Sequence, residues 1–534
     1  MTSSLVGSEM CIRDRFYTDV EFGTAGMRGI LGAGTNRLNI YVIQKANVGF
    51  AKYIASLPEG KERGVAIGYD NRHMSYKFAI ESAKVLATYG IKSYIFESLR
   101  PTPELSFAVR YLKCAGGIMI TASHNPKEHN GYKVYDDTGC QLLPEAADQV
   151  VQYVNEVEDE LNIKVFSDEE AYPYMTWIGE EVDEAYYKEV MAIEVNPGMD
   201  KSDFKIVFSP QHGTSNIAVR TCLTRLGYDL VPVLAQCAPD PDFSNTKSPN
   251  PEVPASYELA IKKAKEVDAD VVVITDPDGD RLGVVAKHNG EYVLMSGNQS
   301  AAVYLEYILS QMKEKGTLPD NAVMYNTIVT SDLGELVARS YGVDVEKTLT
   351  GFKFIGDKIR KYEQTHEKTF VFGYEESYGC VIKDFVRDKD AVQAVLTAAE
   401  AGNFYKKQGK DLVDVLNELY AKHGTFKETQ IALSKAGAAG AARIKEIMDN
   451  LRKDAPQEIG GVKVVKVEDY GNSTCSDGTT IQLPKSNVLK YYLEDGSWIA
   501  ARPSGTEPKC KFYFSIKGSD CLLYTSPSPR DSTS

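Results

Sequence analysis

The run Ala269–Thr275 (ADVVVIT) breaks directly into Asp276–Arg281 (DPDGDR), and this change from apolar to polar decides the fold class. A short apolar run of this kind is typical of a strand that is buried on both faces of a sheet. The same pattern of buried strand and polar loop recurs at Ala115–Thr121 (AGGIMIT), Lys205–Phe208 (KIVF), Thr369–Phe372 (TFVF) and Ser497–Ala501 (SWIAA). The sequence therefore predicts several buried strands, each followed by a loop rich in polar side chains.

Amphipathic helical patterns lie between these strands, for example at Ser75–Tyr89, Val392–Lys406 and Ala441–Arg452. Alternating strands and helices predict α/β domains with largely parallel sheets. A chain of 534 residues has room for about three or four such domains. Ligands of these sheets bind just beyond the carboxyl ends of the strands, which is where the polar loops fall. If several domains point one loop at a shared cleft, the loops form one composite active site.

Composition and charge exclude several classes of function. Hydrophobic residues make up 43% of the chain and charged residues 25%, as in soluble globular proteins. No run of about 18 or more apolar residues is present, so no membrane span is expected. The net charge of −14 argues against a nucleic-acid binder and means that an anionic substrate needs local Arg and Lys. Nine cysteines without a C-x-x-C pair predict reduced thiols and a cytoplasmic location.

Three further stretches differ from the rest. Residues 1–14 (MTSSLVGSEMCIRD) and 521–534 (beginning CLLYTSPSPRD) resemble translated sequencing-adapter DNA, and we expect both to be non-native segments. A signal peptide is not expected at the start, because no apolar core follows the first residues. The acidic stretch Asn155–Glu184 is predicted to be an exposed insertion or a helical connection.

The aspartates Asp276, Asp278 and Asp280 follow a predicted strand at alternate positions, so their carboxylates can converge on one cation. Oxygen ligands of this kind suit Mg²⁺, which also takes water and phosphate oxygens. An EF-hand calcium loop requires Gly at position six and Glu at position twelve, where this chain has Arg281 and Lys287. A solvated acidic turn remains the alternative to a metal site.

Ser123 lies in the loop that follows another predicted strand. A serine hydroxyl is a weak nucleophile unless it is activated or already derivatised, and the chain has no G-x-S-x-G elbow. A turn serine is therefore the alternative, and His124 beside it is equally compatible with a structural role. Lys133 is either a surface lysine or, if it is buried near other cations, a general acid or base with a lowered pKa.

Two later loops offer groups that suit a phosphorylated sugar. Glu375 and Ser377 follow a predicted strand and can accept or donate bonds to vicinal hydroxyls, although a charged helix start is an equally good interpretation. The run Arg502–Thr506 combines a guanidinium, two hydroxyls and a glycine, which together favour a phosphate cradle. It matches neither a Walker A loop nor a G-x-G-x-x-G fingerprint.

Together these loops resemble the α-D-phosphohexomutase superfamily. The motifs TASHNP, DPDGDR, GYEES and RPSGTEP occur in the order found in that family, and the similarity extends from about Arg15 to Gly518. Within the superfamily, Glu21–Gly29 (EFGTAGMRG) and Thr348–Gly356 (TLTGFKFIG) are similar to the phosphoglucomutase and phosphopentomutase branch.

The resemblance implies roles for individual residues. Ser123 is expected to carry a phosphoryl group and to complete a Mg²⁺ site with the three aspartates. Around the transferring phosphoryl group we expect Arg28, His124, Lys133 and Arg281, with Lys133 as general acid or base and His124 as the alternative. Contacts to the sugar are expected from Thr350, Gly351, Phe352, Glu375 and Ser377. The non-reacting phosphate is expected to be held by Arg502, Ser504, Gly505, Thr506 and Lys389, and Arg72 is expected to support the cleft.

The implied architecture has four domains around one cleft: three α/β domains with mixed or parallel sheets and a smaller C-terminal α+β domain. We expect the domains at residues 15–200, 201–320, 321–425 and 426–520. The implied reaction interconverts α-D-glucose 1-phosphate and glucose 6-phosphate through glucose 1,6-bisphosphate. The expected partners are small sugar phosphates, without nucleic acid or membrane, and the expected assembly is a monomer or dimer.

Several alternatives stay open at this point. A phosphopentomutase, a phosphomannomutase or a bisphosphate synthase with an acyl-phosphate donor is compatible with the same motifs. A phosphatase needs water at the reacting centre. A non-catalytic sugar-phosphate binder belongs to another class, and the intact Ser123, aspartates and Lys133 argue against it.

Overall fold

In the part of the chain that the structure describes, four β-sheets follow one another, and each is formed by one continuous stretch of sequence. The computed structural model describes residues 12–22, 26–434, 438–504 and 509–518. In these residues the first three sheets contain both parallel and antiparallel neighbours, and the fourth sheet is antiparallel throughout. The predicted architecture, three α/β domains followed by a smaller α+β domain, is confirmed.

The first sheet has six strands in the order β1-β5-β4-β2-β3-β6. The strands are β1 (Met27–Ile30), β2 (Val65–Tyr69), β3 (Ser93–Phe96), β4 (Gly116–Ile120), β5 (His129–Tyr135) and β6 (Met175–Ile178). The helices are α1 (Ile40–Ser56), α2 (Gly60–Arg63), α3 (Ser75–Thr88), α4 (Thr102–Tyr111), α5 (Pro144–Asn155), α6 (Asp168–Ala171) and α7 (Glu180–Met191). Apolar residues of α1, α3 and α5 pack in one core of this domain, and those of α4 and α7 pack in another.

The second sheet has five strands and the third has four. The second sheet has the order β11-β10-β9-β7-β8 and the third β13-β12-β14-β15. The strands are β7 (Lys205–Ser209), β8 (Asp229–Pro232), β9 (Val271–Thr275), β10 (Leu282–His288), β11 (Glu291–Met295), β12 (Ala322–Thr327), β13 (Asp344–Thr348), β14 (Thr369–Glu375) and β15 (Gly379–Val381). The helices are α8 (Asn216–Arg225), α9 (Glu258–Val267), α10 (Gly297–Glu314), α11 (Asp332–Ser340), α12 (Phe352–Thr365), α13 (Ala391–Lys406) and α14 (Leu412–His423).

The fourth sheet has the order β16-β22-β21-β20-β18-β17, and β19 pairs with β18. The elements are β16 (Thr425–Ser434), α15 (Ala438–Lys453), β17 (Glu458–Ile459), β18 (Val462–Asp469), β19 (Thr474–Cys475), β20 (Leu489–Leu493), β21 (Trp498–Pro503) and β22 (Lys509–Gly518). Across the described part of the chain, the helices are all too short or too polar to cross a membrane.

The five strands predicted from apolar runs are all present, as β4, β7, β9, β14 and β21. The expectation of largely parallel sheets was too simple, because β21 lies in an antiparallel sheet. The acidic stretch Asn155–Glu184 is also more than an insertion, since it supplies the edge strand β6, which pairs in parallel with β3.

The fourth domain docks on the third through a small apolar cluster. Ile328 and Leu349 of the third domain pack there with Trp498 and Tyr513 of the fourth. At its centre the buried Lys490 Nζ donates to the Ile328 carbonyl at 2.8 Å and lies 4.1 Å from the centre of the Trp498 ring. This contact places strand β21, and therefore the loop after it, against the third domain.

Glu400 on α13 provides a test of the buried polar contacts between domains. Its carboxylate is 2% exposed and accepts the N–H of Asn196, and burial raises its pKa to about 7. The folded protein therefore holds a proton that the unfolded chain releases near its ordinary pKa of 4.5. Stability is thus lost as the pH rises from about 4.5 to about 7. We expect Glu400→Gln, which imitates the protonated form, to gain up to roughly 3 kcal/mol of unfolding free energy relative to wild type over this range.

Urea unfolding of both proteins at pH 5 and pH 8 measures this difference. Equal unfolding free energies of the two proteins at both values would show that Glu400 is not protonated in the folded state.

Candidate active site

One cleft of about 1060 Å³ collects loops from all four domains. It is lined by almost every predicted site residue that the structure describes: Arg28, Ser123, His124, Lys133, Asp280, Arg281, Thr350, Gly351, Phe352, Glu375, Ser377, Lys389, Arg502 and Ser504. Asp276 and Asp278 are fully buried just behind this lining. Gly505 and Thr506 lie outside the described residues.

Ser123 stands in the turn that follows β4, with its backbone in the left-handed region at φ 53°. Its side chain points across to the second domain, where Oγ donates to Asp276 Oδ2 at 2.9 Å. His124 Nδ1 is 3.1 Å from Ser123 Oγ. The predicted phosphoryl carrier therefore lies directly beside the predicted metal ligands.

The aspartate loop follows β9 and turns at Gly279, where φ is 69°. Asp276, Asp278 and Asp280 each offer one oxygen within 4.8 Å of the others. Asp276 Oδ1 accepts the N–H groups of Asp280 and Arg281, which fixes the turn. The sequence prediction that the three carboxylates converge is matched by this geometry.

The charge of this loop fits a divalent cation. Burial, and then the charges of Asp278 and Asp280, raise the pKa of Asp276 well above its ordinary value. Asp278 Oδ1 and Asp280 Oδ1 are buried, and no described hydrogen-bond partner contacts either oxygen. Unpaired buried carboxylate oxygens are costly unless a cation satisfies them, and hard oxygen donors suit Mg²⁺ or a similar ion.

Three basic side chains contact or approach the same loop. Lys133 Nζ is 2.9 Å from Asp278 Oδ2, and Lys389 Nζ is 3.4 Å from Asp280 Oδ2. Burial alone would lower the pKa of Lys133, but Asp278 and Asp280 outweigh it and raise the pKa. This is opposite to the fall expected for a lysine among cations. Arg281 Nε lies 3.9 Å from Asp280 Oδ1, and its Nη1 donates to Glu252 Oε1 at 3.0 Å.

His124 has the opposite protonation behaviour. Burial lowers the pKa of its imidazole well below 6.5, and the neighbouring Arg281 and Arg28 lower it further. Arg28 Nη1 reaches the same loop, where it donates to Asn125 Oδ1 at 3.2 Å. The lowered pKa favours the neutral form of the imidazole beside Ser123.

The loops of the third domain form the middle of the cleft. Gly351, with φ 113°, connects β13 to α12, and its N–H donates to Glu375 Oε1 at 2.8 Å. Lys389 Nζ is 4.0 Å from Glu375 Oε2 and 5.5 Å from the centre of the Phe352 ring. Among the described residues, the charged contacts of Lys389 join the aspartate loop to Glu375. The expectation that Lys389 also helps to hold the distal phosphate stays a prediction.

The fourth domain contributes a cationic end. Arg502 on β21 is directly opposite Lys511 on β22, and Ser504 N–H donates to the Lys509 carbonyl at 2.7 Å. Arg502 Nη1 donates to the Tyr513 hydroxyl at 3.4 Å. Like charges opposite one another on a sheet repel, so this arrangement favours binding of an anion between them.

Sequence reasoning missed Lys509, Lys511 and Glu252. The two lysines left a signal, because residues two apart on a strand share a face and both follow the cradle. Glu252 left none. It accepts from Arg281 through Oε1 and from Gln430 of β16 through Oε2, and both partners are distant in sequence.

Known proteins are similar to this chain along most of its length. Four domain models of the phosphoglucomutase/phosphomannomutase family match this chain. The model of alpha/beta/alpha domain I matches residues 19–161, that of domain II residues 184–290, that of domain III residues 296–423 and that of the C-terminal domain residues 442–520. The chain belongs to the phosphoglucomutase/phosphomannomutase family. The predicted family and the predicted enzyme class, an isomerase that relocates a phosphoryl group, are confirmed, and membership implies a metal ion and a bisphosphate intermediate.

Individual proteins are similar to this chain in sequence or in fold. A phosphoglucomutase of Staphylococcus epidermidis is 40% identical over 507 residues, which are 93% of this chain and 91% of that protein. The open form of the Paramecium phosphoglucomutase pp63/parafusin has a TM-score of 0.68 at 20% identity and covers 95% of this chain and 92% of its own. An Aspergillus fumigatus N-acetylphosphoglucosamine mutase, solved with GlcNAc-6P and magnesium, has a TM-score of 0.52 at 13% identity and covers 94% of this chain and 93% of its own.

The contact between Glu252 and Arg281 gives a test of this family's cleft in the present chain. Glu252→Ala removes the carboxylate that holds the Arg281 guanidinium, a charge-assisted bond of about 1.5–3 kcal/mol. We expect kcat/KM for mutase turnover to fall by about 10- to 100-fold.

Glu184→Ala is the matched control, because it removes a carboxylate that holds the Arg225 guanidinium at the surface, outside the cleft. We expect this variant to stay within about threefold of wild type. A Glu252→Ala enzyme with wild-type kcat/KM would contradict the importance of the contact.

Proposed function

We propose that the protein is a phosphoglucomutase that interconverts α-D-glucose 1-phosphate and glucose 6-phosphate through glucose 1,6-bisphosphate. The observation that carries the proposal is one cleft with Ser123 and three aspartates at one place and the cationic pair Arg502 and Lys511 at another. A substrate with a phosphate at each end needs both. The identity to relatives named phosphoglucomutase supports glucose as the sugar.

The proposed metal is Mg²⁺, held by Asp276, Asp278 and Asp280, with an oxygen of phosphorylated Ser123 completing the site. The buried atoms Asp278 Oδ1 and Asp280 Oδ1 accept no hydrogen bond from a described residue, which supports this assignment. When bound, the ion neutralises charge on the transferring phosphoryl group. A related fold solved with magnesium is consistent with this choice.

The proposed recognition of the sugar uses the third domain. Thr350, Gly351 and Phe352 contact the ring, and Glu375 and Ser377 bind its hydroxyls. The Glu375 carboxylate is held by the Gly351 N–H, so the two loops present their groups as a unit. Lys389 is proposed to bind substrate phosphate, and Arg502, Ser504, Gly505 and Thr506 to clamp the phosphate that does not react.

The proposed chemistry begins with the phosphoryl group on Ser123. The oxygen at carbon six of glucose 1-phosphate attacks phosphorus, and its hydroxyl proton passes to a nearby base. The bond from phosphorus to Ser123 Oγ breaks, and Oγ keeps the electron pair and takes up a proton, so that the serine hydroxyl is regenerated. His124 is proposed as a base that exchanges a proton at Ser123, because its Nδ1 is 3.1 Å from Ser123 Oγ and its lowered pKa favours the neutral imidazole. Lys133, expected from the sequence to be the general acid or base, is engaged with Asp278, and Arg28, Lys133 and Arg281 instead offset phosphoryl charge.

The bisphosphate then turns over within the cleft, so that the phosphate at carbon one reaches Ser123. Transfer of that group to Ser123 Oγ restores the phosphorylated enzyme and releases glucose 6-phosphate. Positioning and charge neutralisation supply most of the catalysis in such transfers. A closed cleft also keeps water from the phosphoserine.

We further propose that the enzyme works in the cytoplasm as a monomer or dimer on small sugar phosphates. All seven cysteines in the described part of the chain are free thiols, which supports a reducing compartment.

A substrate panel tests the proposed sugar. Purified protein with Mg²⁺ and a trace of the 1,6-bisphosphate is given glucose, mannose, ribose and glucosamine phosphates, and isomer formation and phosphate release are measured together. We expect the highest kcat/KM with glucose 1-phosphate. Preferred turnover of ribose 1-phosphate or a mannose phosphate would replace the sugar, and phosphate release without isomer would indicate a phosphatase.

Ser123→Ala tests the phosphoryl carrier. We expect turnover to fall by about 1000-fold or more, because no covalent intermediate can form. Calorimetric binding of glucose 1,6-bisphosphate should stay close to wild type, and intact mass should show no phosphate on the variant. Ser202→Ala, in an exposed loop, is the control. Retention of full mutase activity by Ser123→Ala would rule out the phosphoserine mechanism.

Asp278→Asn and Asp280→Asn test the metal site. We expect both variants to need much more Mg²⁺ for half-maximal activity and to lose the increase in melting temperature that Mg²⁺ gives to wild type. Asp268→Asn is the control, because this exposed carboxylate in the same domain forms an ion pair with Lys287, away from the aspartate loop. An unchanged Mg²⁺ response in all three variants would place the ion elsewhere.

A further inference from the structure

Arg72 lies behind the Ser123 loop, three residues beyond the end of β2, and its side chain is fully buried. Its guanidinium donates to four main-chain carbonyls of that loop. The bonds reach the carbonyls of Ser123 at 2.7 Å, Asn125 at 2.6 Å, Pro126 at 2.9 Å and His129 at 3.1 Å. One side chain therefore holds the whole segment from Ser123 to the start of β5.

The Ser123 loop needs such support. Ser123 has φ 53°, a backbone conformation that costs roughly 1–2 kcal/mol for a residue with a side chain. Residues in such conformations persist only when their surroundings hold them there. Removal of Arg72 would take a hydrogen-bond donor from all four carbonyl groups, although the Pro126 carbonyl would keep the His129 N–H at 3.0 Å. Unpaired buried carbonyls are costly.

Arg72 is itself fixed from two directions. Its Nε is 3.2 Å from Asp70 Oδ2, and neither side chain is exposed. Asp70 Oδ1 in turn accepts the Ser75 hydroxyl at 2.6 Å and the Arg72 N–H at 2.9 Å. From the second domain, the Phe243 ring lies 5.1 Å from the guanidinium carbon. The guanidinium therefore has a defined position relative to both domains.

We propose that Arg72 is a positioning residue that holds the Ser123 loop in its reactive geometry, an inference that rests on the proposed function of Ser123. Arg72 acts through the backbone and does not line the cleft. Because the peptide group is planar and trans, a Ser123 carbonyl directed at Arg72 turns the His124 N–H away from Arg72. The bonds from Arg72 to these carbonyls thus set the orientation of the Ser123 hydroxyl and of the His124 amide together.

The expected consequence is a loss of rate with little loss of substrate affinity. A displacement of about 1 Å at a reacting group costs about 100-fold in rate. The sugar and distal phosphate contacts come from the third and fourth domains and are untouched. A merely structural arginine would instead lower stability and leave the rate of the folded enzyme unchanged.

The test compares Arg72→Ala with Arg100→Ala. Arg100 is a matched control in the same domain: it is buried, pairs with Asp183 and donates to the carbonyls of Ser98 and Leu99, outside the cleft. We expect kcat of Arg72→Ala to fall by about 100-fold with KM within about threefold. We expect Arg100→Ala to keep kcat even if its melting temperature falls. Adding tens of millimolar guanidinium chloride should restore at least tenfold of the loss in Arg72→Ala only, roughly the effect of one charged bond.

Two further variants keep the proposal testable if Arg72→Ala does not fold. Arg72→Lys keeps the charge but cannot reach four carbonyls, and Asp70→Asn keeps the arginine but removes its ion pair. Both should lose kcat and release more inorganic phosphate per isomer formed. Folded Arg72 variants with wild-type kcat, or equal losses in the Arg72 and Arg100 variants, would overturn the proposal. A wild-type enzyme with no mutase turnover would instead overturn the proposed function, and this inference with it.

Discussion

Three buried carboxylates behind one turn constrain the whole cleft, because isolated buried charges are too costly to persist. Asp276, Asp278 and Asp280 are each at most 2% exposed. The nearest cations come from two other domains, Lys133 from β5 and Lys389 from the segment before α13. The first and third domains each supply a lysine to the aspartate loop of the second domain. The positions of these three domains relative to one another therefore depend on charge balance as well as on their shared apolar core.

The other end of the cleft has the opposite imbalance. Arg502 and Lys511 are directly opposite on neighbouring strands, and burial lowers the pKa of Lys511, with Arg281, Lys509 and Arg502 adding to the effect and Glu252 opposing it. A surplus of cations in a cleft favours an anionic ligand. The protein as a whole is acidic, with a net charge of −14, so this local surplus is a property of the site and not of the surface. A substrate that bears phosphates fits such a distribution.

Local sequence was sufficient for the strands and for the loops that follow them. Buried runs such as Ala269–Thr275 are long enough to be recognised, and the carboxyl ends of strands face the cleft by the geometry of α/β sheets. Long-range pairing was not readable in the same way. No local sequence pattern indicates the edge strand β6, which lies within an acidic stretch. No local pattern indicates that the Glu252 carboxylate contacts both Arg281 and Gln430. The direction of the Lys133 pKa was also missed, because it depends on which charges become neighbours after folding.

Lys389 shows how recognition and chemistry become connected. Its Nζ is 3.4 Å from Asp280 Oδ2 and 4.0 Å from Glu375 Oε2, and Glu375 also holds the Gly351 N–H. A ligand that engages Glu375 therefore changes the surroundings of a cation that balances the aspartate loop. Electrostatic interactions in a buried site are strong, so such a change is felt at Asp280 without any movement of the backbone. The loop at Glu375 and the aspartate loop are thus parts of one charge network. Under the proposed function, a sugar that fits poorly at Glu375 therefore disturbs the place where the phosphoryl group is transferred.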